Sequence, residues 1–408
     1  MKELQVLSYH HLLLRAKWVV PVDSPSILDG AVEIKEGKIV RVGKFSDLFK
    51  ETSQAKLIDF GETIILPCLA NLHTHLELTS FRFRIRPSGS FFGWVKQVIK
   101  LKEETSPVEL KEGAKLGLSE LWREGVGIIG EVTNSGLTLD LVCQTPLYGY
   151  IFREIIGFKG GVKLQPLEDY FSKNRIKTTY SAHAPYTVSP LLLQAIKAYT
   201  KKRNQIFAIH CGESKEEVEF LKTGEGAIKN LLKERGQWNE SFCSPGLSPV
   251  KYLASLNLLD EKTLLVHLVQ LEKEDLEVLK RHKPKVCVCP RSNLFTGVGL
   301  PNLPLLLEAG LEIGIGTDSL ASNTSLSVWE ELKTLYSAFP DIPPEIFIRM
   351  ATLNGAKILG YENLGAICPG YLPNLLVIEV FDYLTDNPQE MLSSLLNAKK
   401  EVLYRFYG

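Results

Sequence analysis

Short apolar runs, alternating with polar positions, mark both ends of the chain, and a different rhythm fills the middle. Residues 12–66 contain "LLLRAKWVVPV", "GAVEIKEGKIVRVG" and "KLIDFGETIIL", runs of strand length in which "KEGK" has the look of a hairpin turn. From about residue 67, strand-like apolar runs alternate with amphipathic helical stretches such as "SPLLLQAIKAYTKKR" and "EKEDLEVLKRHK". The runs end in "ANLHTH", "VGIIGEVTN", "LYGYIFREIIG", "IKTTYSAHAP", "QIFAIHCGES", "TLLVHLV", "PKVCVCPRSN" and "LEIGIGTDS". Eight such alternations predict an α/β fold with a (β/α)8 TIM-type barrel. After a helical stretch, "PPEIFIRMATLNGAKILG", strand-like text returns in "YLPNLLVIEVFDYL" and "EVLYRFYG". The expected organisation is a small β-sandwich domain built from both termini, residues 1–66 plus 363–408, flanking a barrel over residues 67–362.

Composition narrows the function classes. The 408 residues are 45% hydrophobic, enough for a substantial core, and Lys+Arg and Asp+Glu both total 47. Without a basic excess, nucleic acid is not expected as a partner. No apolar run reaches the roughly 18 residues of a membrane span, and the N-terminus lacks a secretory layout. Seven scattered cysteines, an odd number, fit reduced thiols in a cytoplasmic protein better than a disulfide framework. The "CVC" of residues 287–289 reads either as a soft metal pair or as core, and its apolar β-like setting favours core.

The histidines change the picture. In a barrel, chemistry collects at the C-terminal ends of the strands. His73 and His75 end the first run, where i and i+2 share a face, His183 ends the fourth, His210 the fifth and His267 the sixth. Asp318 ends the eighth, and only His10, His11 and His282 lie elsewhere. Neutral imidazoles with a carboxylate suit one divalent ion, Zn²⁺ or Fe²⁺, with a position left for water. His73, His75, His210 and Asp318 are the candidate ligands. Glu213, three residues after His210 in "IHCGES", is the candidate general acid/base, and His267 the candidate group for orienting water or stabilising charge.

The set "LPCLANLHTHLE", "HCGES", "LVHLVQL", "VCPRSN", "GIGTDSLASNTSLSVWEEL" and "ATLNGAKILG" resembles the amidohydrolase superfamily, in order, over about residues 30–380. It is most similar to the mononuclear-metal deaminase branch, with its adenosylhomocysteine, methylthioadenosine and aminodeoxyfutalosine deaminases and the triazine hydrolases. The resemblance implies metal ligation by His73, His75, His210 and Asp318, and acid/base work by Glu213, His267 and Asp318. It also makes His183 a substrate-contacting histidine. The fourth run ends in "SAHAP", without the lysine that two-metal members carry there. Val288 stands where many relatives have a histidine that is not a ligand.

For substrate, Phe91, Phe92 and Trp94 in the first βα loop could stack on a flat heterocycle or simply staple the next helix. Glu77 in "HLEL" is a further substrate-contact candidate. Arg153 and Glu154 could contact a ribose or form a rim ion pair. The expected reaction is hydrolytic loss of an amino group from a purine-type nucleoside. Hydrolysis of a cyclic amide, guanine, a pterin or a C–Cl bond is the alternative. A non-catalytic binding scaffold is disfavoured by the complete residue set, and a nucleotide-binding enzyme by the lack of a phosphate-loop motif. A small-molecule substrate, no membrane and either a monomer or a homo-oligomer complete the expectation.

Overall fold

The computed structural model describes residues 2–5, 10–52, 54–87, 89–167 and 175–407. The N-terminal strands are β1 (Lys2–Gln5), β2 (His11–Val19), β3 (Ile27–Lys35), β4 (Lys38–Lys44), β5 (Lys56–Asp59) and β6 (Ile64–Pro67). Then come β7 (Leu69–Thr74), β8 (Val126–Thr133), β9 (Tyr148–Ile155), β10 (Ile176–Ala182), β11 (Phe207–Cys211), β12 (Thr263–His267), β13 (Lys285–Val288) and β14 (Ile313–Ile315). The chain ends with β15 (Leu375–Val380) and β16 (Lys400–Tyr407).

Strands β7 to β14 form one eight-stranded sheet in unbroken chain order, and every pairing from β9 to β14 is parallel. An isolated parallel bridge between Thr74 and Asp318 joins the first strand to the segment after the last, so the sheet nearly closes on itself. Helices follow the strands, and β8, β11 and β12 are buried along their whole length, as parallel strands covered on both faces must be. This is the (β/α)8 barrel. Its eight strands are the eight apolar runs read from the sequence.

The remaining strands form a separate sheet from both ends of the chain, in the order β1-β16-β15-β6-β2-β3-β4, with β5 beside β2. Its residues alternate as a two-faced sheet requires. Leu12, Leu14 and Ala16 enter a core with Val32, Ile65, Leu375 and Phe406, whereas Leu13 points the other way, beneath the helix Phe45–Glu51. "KEGK" makes the hairpin turn between β3 and β4. Glu36 and Gly37 both take positive φ, +51° and +74°, which matches the right-handed twist of the flanking strands.

By internal packing the chain divides into two compact units, one of residues 1–71, 119–128 and 327–408, the other of residues 72–118 and 129–326. Two features differ from the sequence reading. Residues 388–397 form a helix between β15 and β16, capped by Asn387, whose side chain accepts from the N–H groups of Gln389 and Glu390. The helix read over "PPEIFIRMATLNGAKILG" is α-helical at Pro344–Arg349 and Gly355–Ile358, but Met350–Asn354 between them is wound as a π-turn.

Candidate metal centre and surrounding carboxylates

The strand ends bring the histidines together. His73 is the penultimate residue of β7 and His75 follows the strand's end, His210 is the penultimate residue of β11, and His267 is the last of β12. The Nε2 atoms of His75 and His210 each lie 3.1 Å from Nε2 of His73. Asp318 Oδ1 is 3.6 Å from Nε2 of both His73 and His75. Four donor atoms thus face one point, and all four residues are buried.

The surrounding bonds set which atoms face inward. His210 Nδ1 lies 2.6 Å from the His183 carbonyl, which can only accept, so Nδ1 carries the hydrogen and the Nε2 lone pair faces the other histidines. Asp318 Oδ2 accepts from the hydroxyls of Ser292 (2.6 Å) and Ser322 (2.8 Å), which leaves Oδ1 for the histidine side. Burial raises the Asp318 carboxyl, but the hydrogen bond to His73 and the charges of His75 and His73 outweigh it and hold it well below the usual range. Burial, then the neighbouring His73, lowers His75 to about 4 and His210 well below its ordinary value. Three imidazole nitrogens converging beside a carboxylate oxygen are a donor set that fits a divalent ion.

Glu213 lies on the turn leaving β11, and its Oε1 is 3.6 Å from His267 Nε2. Burial first, then the negative charge of Asp318, raises the Glu213 carboxyl well above the ordinary range. The Asn293 side-chain oxygen lies 2.8 Å from His267 Nδ1 and accepts its hydrogen, leaving the Nε2 lone pair toward Glu213. Burial brings His267 down to about 4. The turn carrying Glu213 is held by Glu217, a residue the sequence did not single out. Its two carboxylate oxygens accept from the N–H groups of Gly212 (3.0 Å) and Glu213 (2.9 Å).

The substrate-contact candidates separate. His183, just past β10, has its ring 5.0 Å from that of His210. Glu154 and Arg153 are neighbours on β9 and therefore point to opposite sides. Glu154 is buried with Oε1 3.8 Å from His210 Nδ1, while the Arg153 guanidinium donates to the Asn134 carbonyl at 3.4 Å, in the loop after β8. Arg153 thus stands apart from the histidines, and the period of two was the available signal. Glu77 is buried, one carboxylate oxygen taking the hydroxyls of Thr133 and Ser135, near the fully buried Glu131. Trp94 donates its indole N–H to the Ala321 carbonyl at 2.8 Å and packs in a cluster with Phe81, Ile85 and Leu110, beside Phe91. Cys287 and Cys289 are buried core thiols without a disulfide, and neither belongs to a metal-capable group among the described residues.

Comparison with known proteins identifies the family. The profile of the amidohydrolase family matches residues 161–402, and that of the allantoinase composite domain matches residues 7–63. A 5-methylthioadenosine/S-adenosylhomocysteine deaminase of Nitratidesulfovibrio vulgaris is 27% identical over 90% of this chain and 84% of its own. The aminodeoxyfutalosine deaminase of Deinococcus radiodurans is 27% identical over 73% of each. The crystal structure of Helicobacter pylori aminofutalosine deaminase with methylthio-coformycin superposes with a TM-score of 0.85 at 25% identity, covering 97% of this chain and 98% of that one. Among the described residues no helix is long and apolar enough to cross a membrane. With the family profile spanning more than half of the chain, across the strands that deliver His183, His210, His267 and Asp318, the chain belongs to the amidohydrolase family and is a hydrolase of carbon–nitrogen bonds.

Proposed function

We propose that this enzyme removes the amino group from an adenine-type nucleoside of the kind named for its relatives: 5-methylthioadenosine, S-adenosylhomocysteine or aminodeoxyfutalosine. The observation that carries the reading is Glu213, a buried carboxyl held above its usual range beside a neutral His267 and the four convergent donor atoms. His73, His75, His210 and Asp318 would hold one divalent ion, for which zinc is proposed because imidazole and carboxylate suit it. When bound, such an ion supplies a water acidified towards neutral pH as the nucleophile.

Glu213 does the proton work. A carboxyl that burial makes hold its proton more tightly can give it to the ring nitrogen beside the amino-bearing carbon, which makes that carbon the better electrophile. As the carboxylate it then takes one proton of the attacking water and hands it to the departing amine, and the water's second proton restores the carboxyl. His267, fixed by Asn293 with its Nε2 lone pair inward, accepts and orients a donor beside Glu213. Asp318, anchored by Ser292 and Ser322, keeps one oxygen toward the reacting centre. His183 is placed to meet the substrate. The seven unpaired cysteines support a reducing compartment, the cytoplasm.

The test measures ammonia release from methylthioadenosine, adenosylhomocysteine, aminodeoxyfutalosine, adenosine, guanine, a pterin and an aminotriazine, alongside metal content. An adenine nucleoside is expected to be the best substrate, with about one divalent ion per chain. Glu213→Gln is expected to keep the metal and lower kcat at least about a hundredfold. Turnover of guanine or the triazine with none for any nucleoside overturns the substrate class. Near-wild-type turnover by Glu213→Gln removes that residue from the mechanism.

A further inference from the structure

Glu154 is a buried carboxylate that the proton chemistry above does not use. Its Oε2 accepts from the Asn134 amide at 2.8 Å, and Asn134 in turn takes the Lys102 ammonium on its own oxygen at 2.6 Å. The carboxylate is therefore aimed by a two-residue brace running in from the exposed Lys102–Asn134 contact. Its Oε1 receives no hydrogen bond from any described residue. The nearest nitrogen, His210 Nδ1, is 3.8 Å away and gives its hydrogen to the His183 carbonyl instead. A carboxylate oxygen with no donor among the described residues is an open acceptor that a substrate group can fill.

His183 narrows what arrives. Its Nδ1 lies 2.8 Å from the Thr187 hydroxyl, which gives its own hydrogen to the Ala184 carbonyl at 3.2 Å and so accepts from His183. Nε2 of His183 is left as an acceptor. Ligand-type atoms of Glu154, His183 and His210 all lie within 4.8 Å of one another. A second metal ion in this group is disfavoured, because His210 Nδ1 carries a hydrogen and cannot ligate. A cationic ligand is disfavoured by the nearby Lys102 ammonium. Two neighbouring acceptors in that setting call for two neutral donors on adjacent atoms.

We propose that Glu154, aimed by Asn134 and Lys102 and paired with His183, accepts the vicinal hydroxyls of the substrate's sugar, so that the enzyme selects a ribonucleoside over a deoxynucleoside or a free base. This rests on the adenine-nucleoside reading and specifies the sugar within it. A hydrogen bond to a charged acceptor is worth about 1.5–3 kcal/mol, or roughly 10–150-fold.

The experiment pairs substrate with variant. The adenine ribonucleoside turned over best is compared with its 2′,3′-dideoxy analogue, on wild type and on Glu154→Gln, with metal content measured in both proteins. Wild type is expected to lose about 10–100-fold in kcat/KM on the dideoxy analogue. Glu154→Gln is expected to lose a similar factor on the ribonucleoside and little more on the analogue, with metal unchanged. Equal turnover of the two nucleosides by wild type overturns the proposal without needing the variant. So does a Glu154→Gln loss of equal size on both substrates, which is the signature of support for His183 or His210 alone. If no adenine nucleoside is deaminated, the deaminase reading itself has failed, and the diol assignment falls with it.

Discussion

His267 and Asp318 sit at φ +81° and +54°, backbone that residues other than glycine adopt at a cost of roughly 1–3 kcal/mol each. Tight anchoring keeps them there. The N–H of Asp318 is held by the His73 carbonyl at 3.0 Å, and the N–H of Leu268, next to His267, by that of Cys211 at 3.1 Å. The same turn-level control governs Glu213 through Glu217. Ser214 caps the helix Lys215–Thr223 by accepting the Glu217 N–H, and Glu217 reaches back past it to Gly212 and Glu213. The left-handed Gly212 (φ +63°) lets this cap serve as a splint for Glu213, the proposed acid/base group. Glu217→Gln keeps one acceptor and turns an amide N–H toward the other backbone donor. It should lower kcat at least about tenfold with metal content and KM near wild type; an unchanged kcat removes the positioning role. Burial also brings Glu217 up to about 7 from 4.5, against the pull of its three backbone N–H bonds. A raised value means its stabilising contribution is complete below about pH 4.5 and is lost as pH rises through about 7. The stability of Glu217→Gln relative to wild type, measured by urea unfolding, should therefore improve from about pH 5 to about pH 8.

Among the elements, the barrel strands were the most legible, because strands buried on both faces must be written as near-continuous apolar runs bounded by polar turns. Their last residues gave the candidate site for the same reason, since polar side chains at the end of an apolar run stand out. The helix at Pro388–Asn397 was lost between two strand-like stretches, although Asn387 and Pro388 carry the start signals of a helix. The π-turn at Met350–Asn354 leaves no mark in an apolar pattern that suits an α-helix equally well. Backbone approach is equally invisible in sequence. A β-carbon on Gly316, just past β14, would lie 2.7 Å from Cys287 Sγ, 2.9 Å from His73 Cβ and 3.0 Å from Cys289 Sγ. Gly316→Ala should push His73 off its position, lowering bound metal at least several-fold, beyond the usual overpacking cost of about 1–3 kcal/mol. Replacing both cysteines by alanine in the same chain should restore part of the metal. Full metal in Gly316→Ala alone would show that His73 does not depend on this contact.

At the scale of the whole molecule, residues 1–66 and 363–408 are proposed to fold as one unit. Strand β15 pairs β6 on one side and β16 on the other, so the last strands of the chain rest on the first. The shared core takes Leu12, Leu14, Val19, Val32, Ile34 and Ile65 from the N-terminal side and Ile367, Leu375, Val377 and Phe406 from the C-terminal side. Arg405 on β16 is buried with its guanidinium 3.4 Å over the Trp122 ring, donating to the carbonyls of Trp122 (3.2 Å) and Val126 (2.6 Å). A chain starting at residue 67 loses β1 to β6 and leaves β15 and β16 as a lone antiparallel pair. Two open edges, those that β6 and β1 had covered, and one bare apolar face would then meet water. Each core leucine or isoleucine stripped of its partners forfeits about 1.5–3 kcal/mol of burial, and several such losses exceed the 5–15 kcal/mol by which most proteins are stable. The shortened chain should therefore be recovered as aggregate, or as a species that melts without a cooperative transition. Supplying residues 1–66 as a separate polypeptide during refolding should raise the soluble yield. If the shortened chain alone is soluble and unfolds cooperatively in a thermal scan, the two ends are not one folding unit.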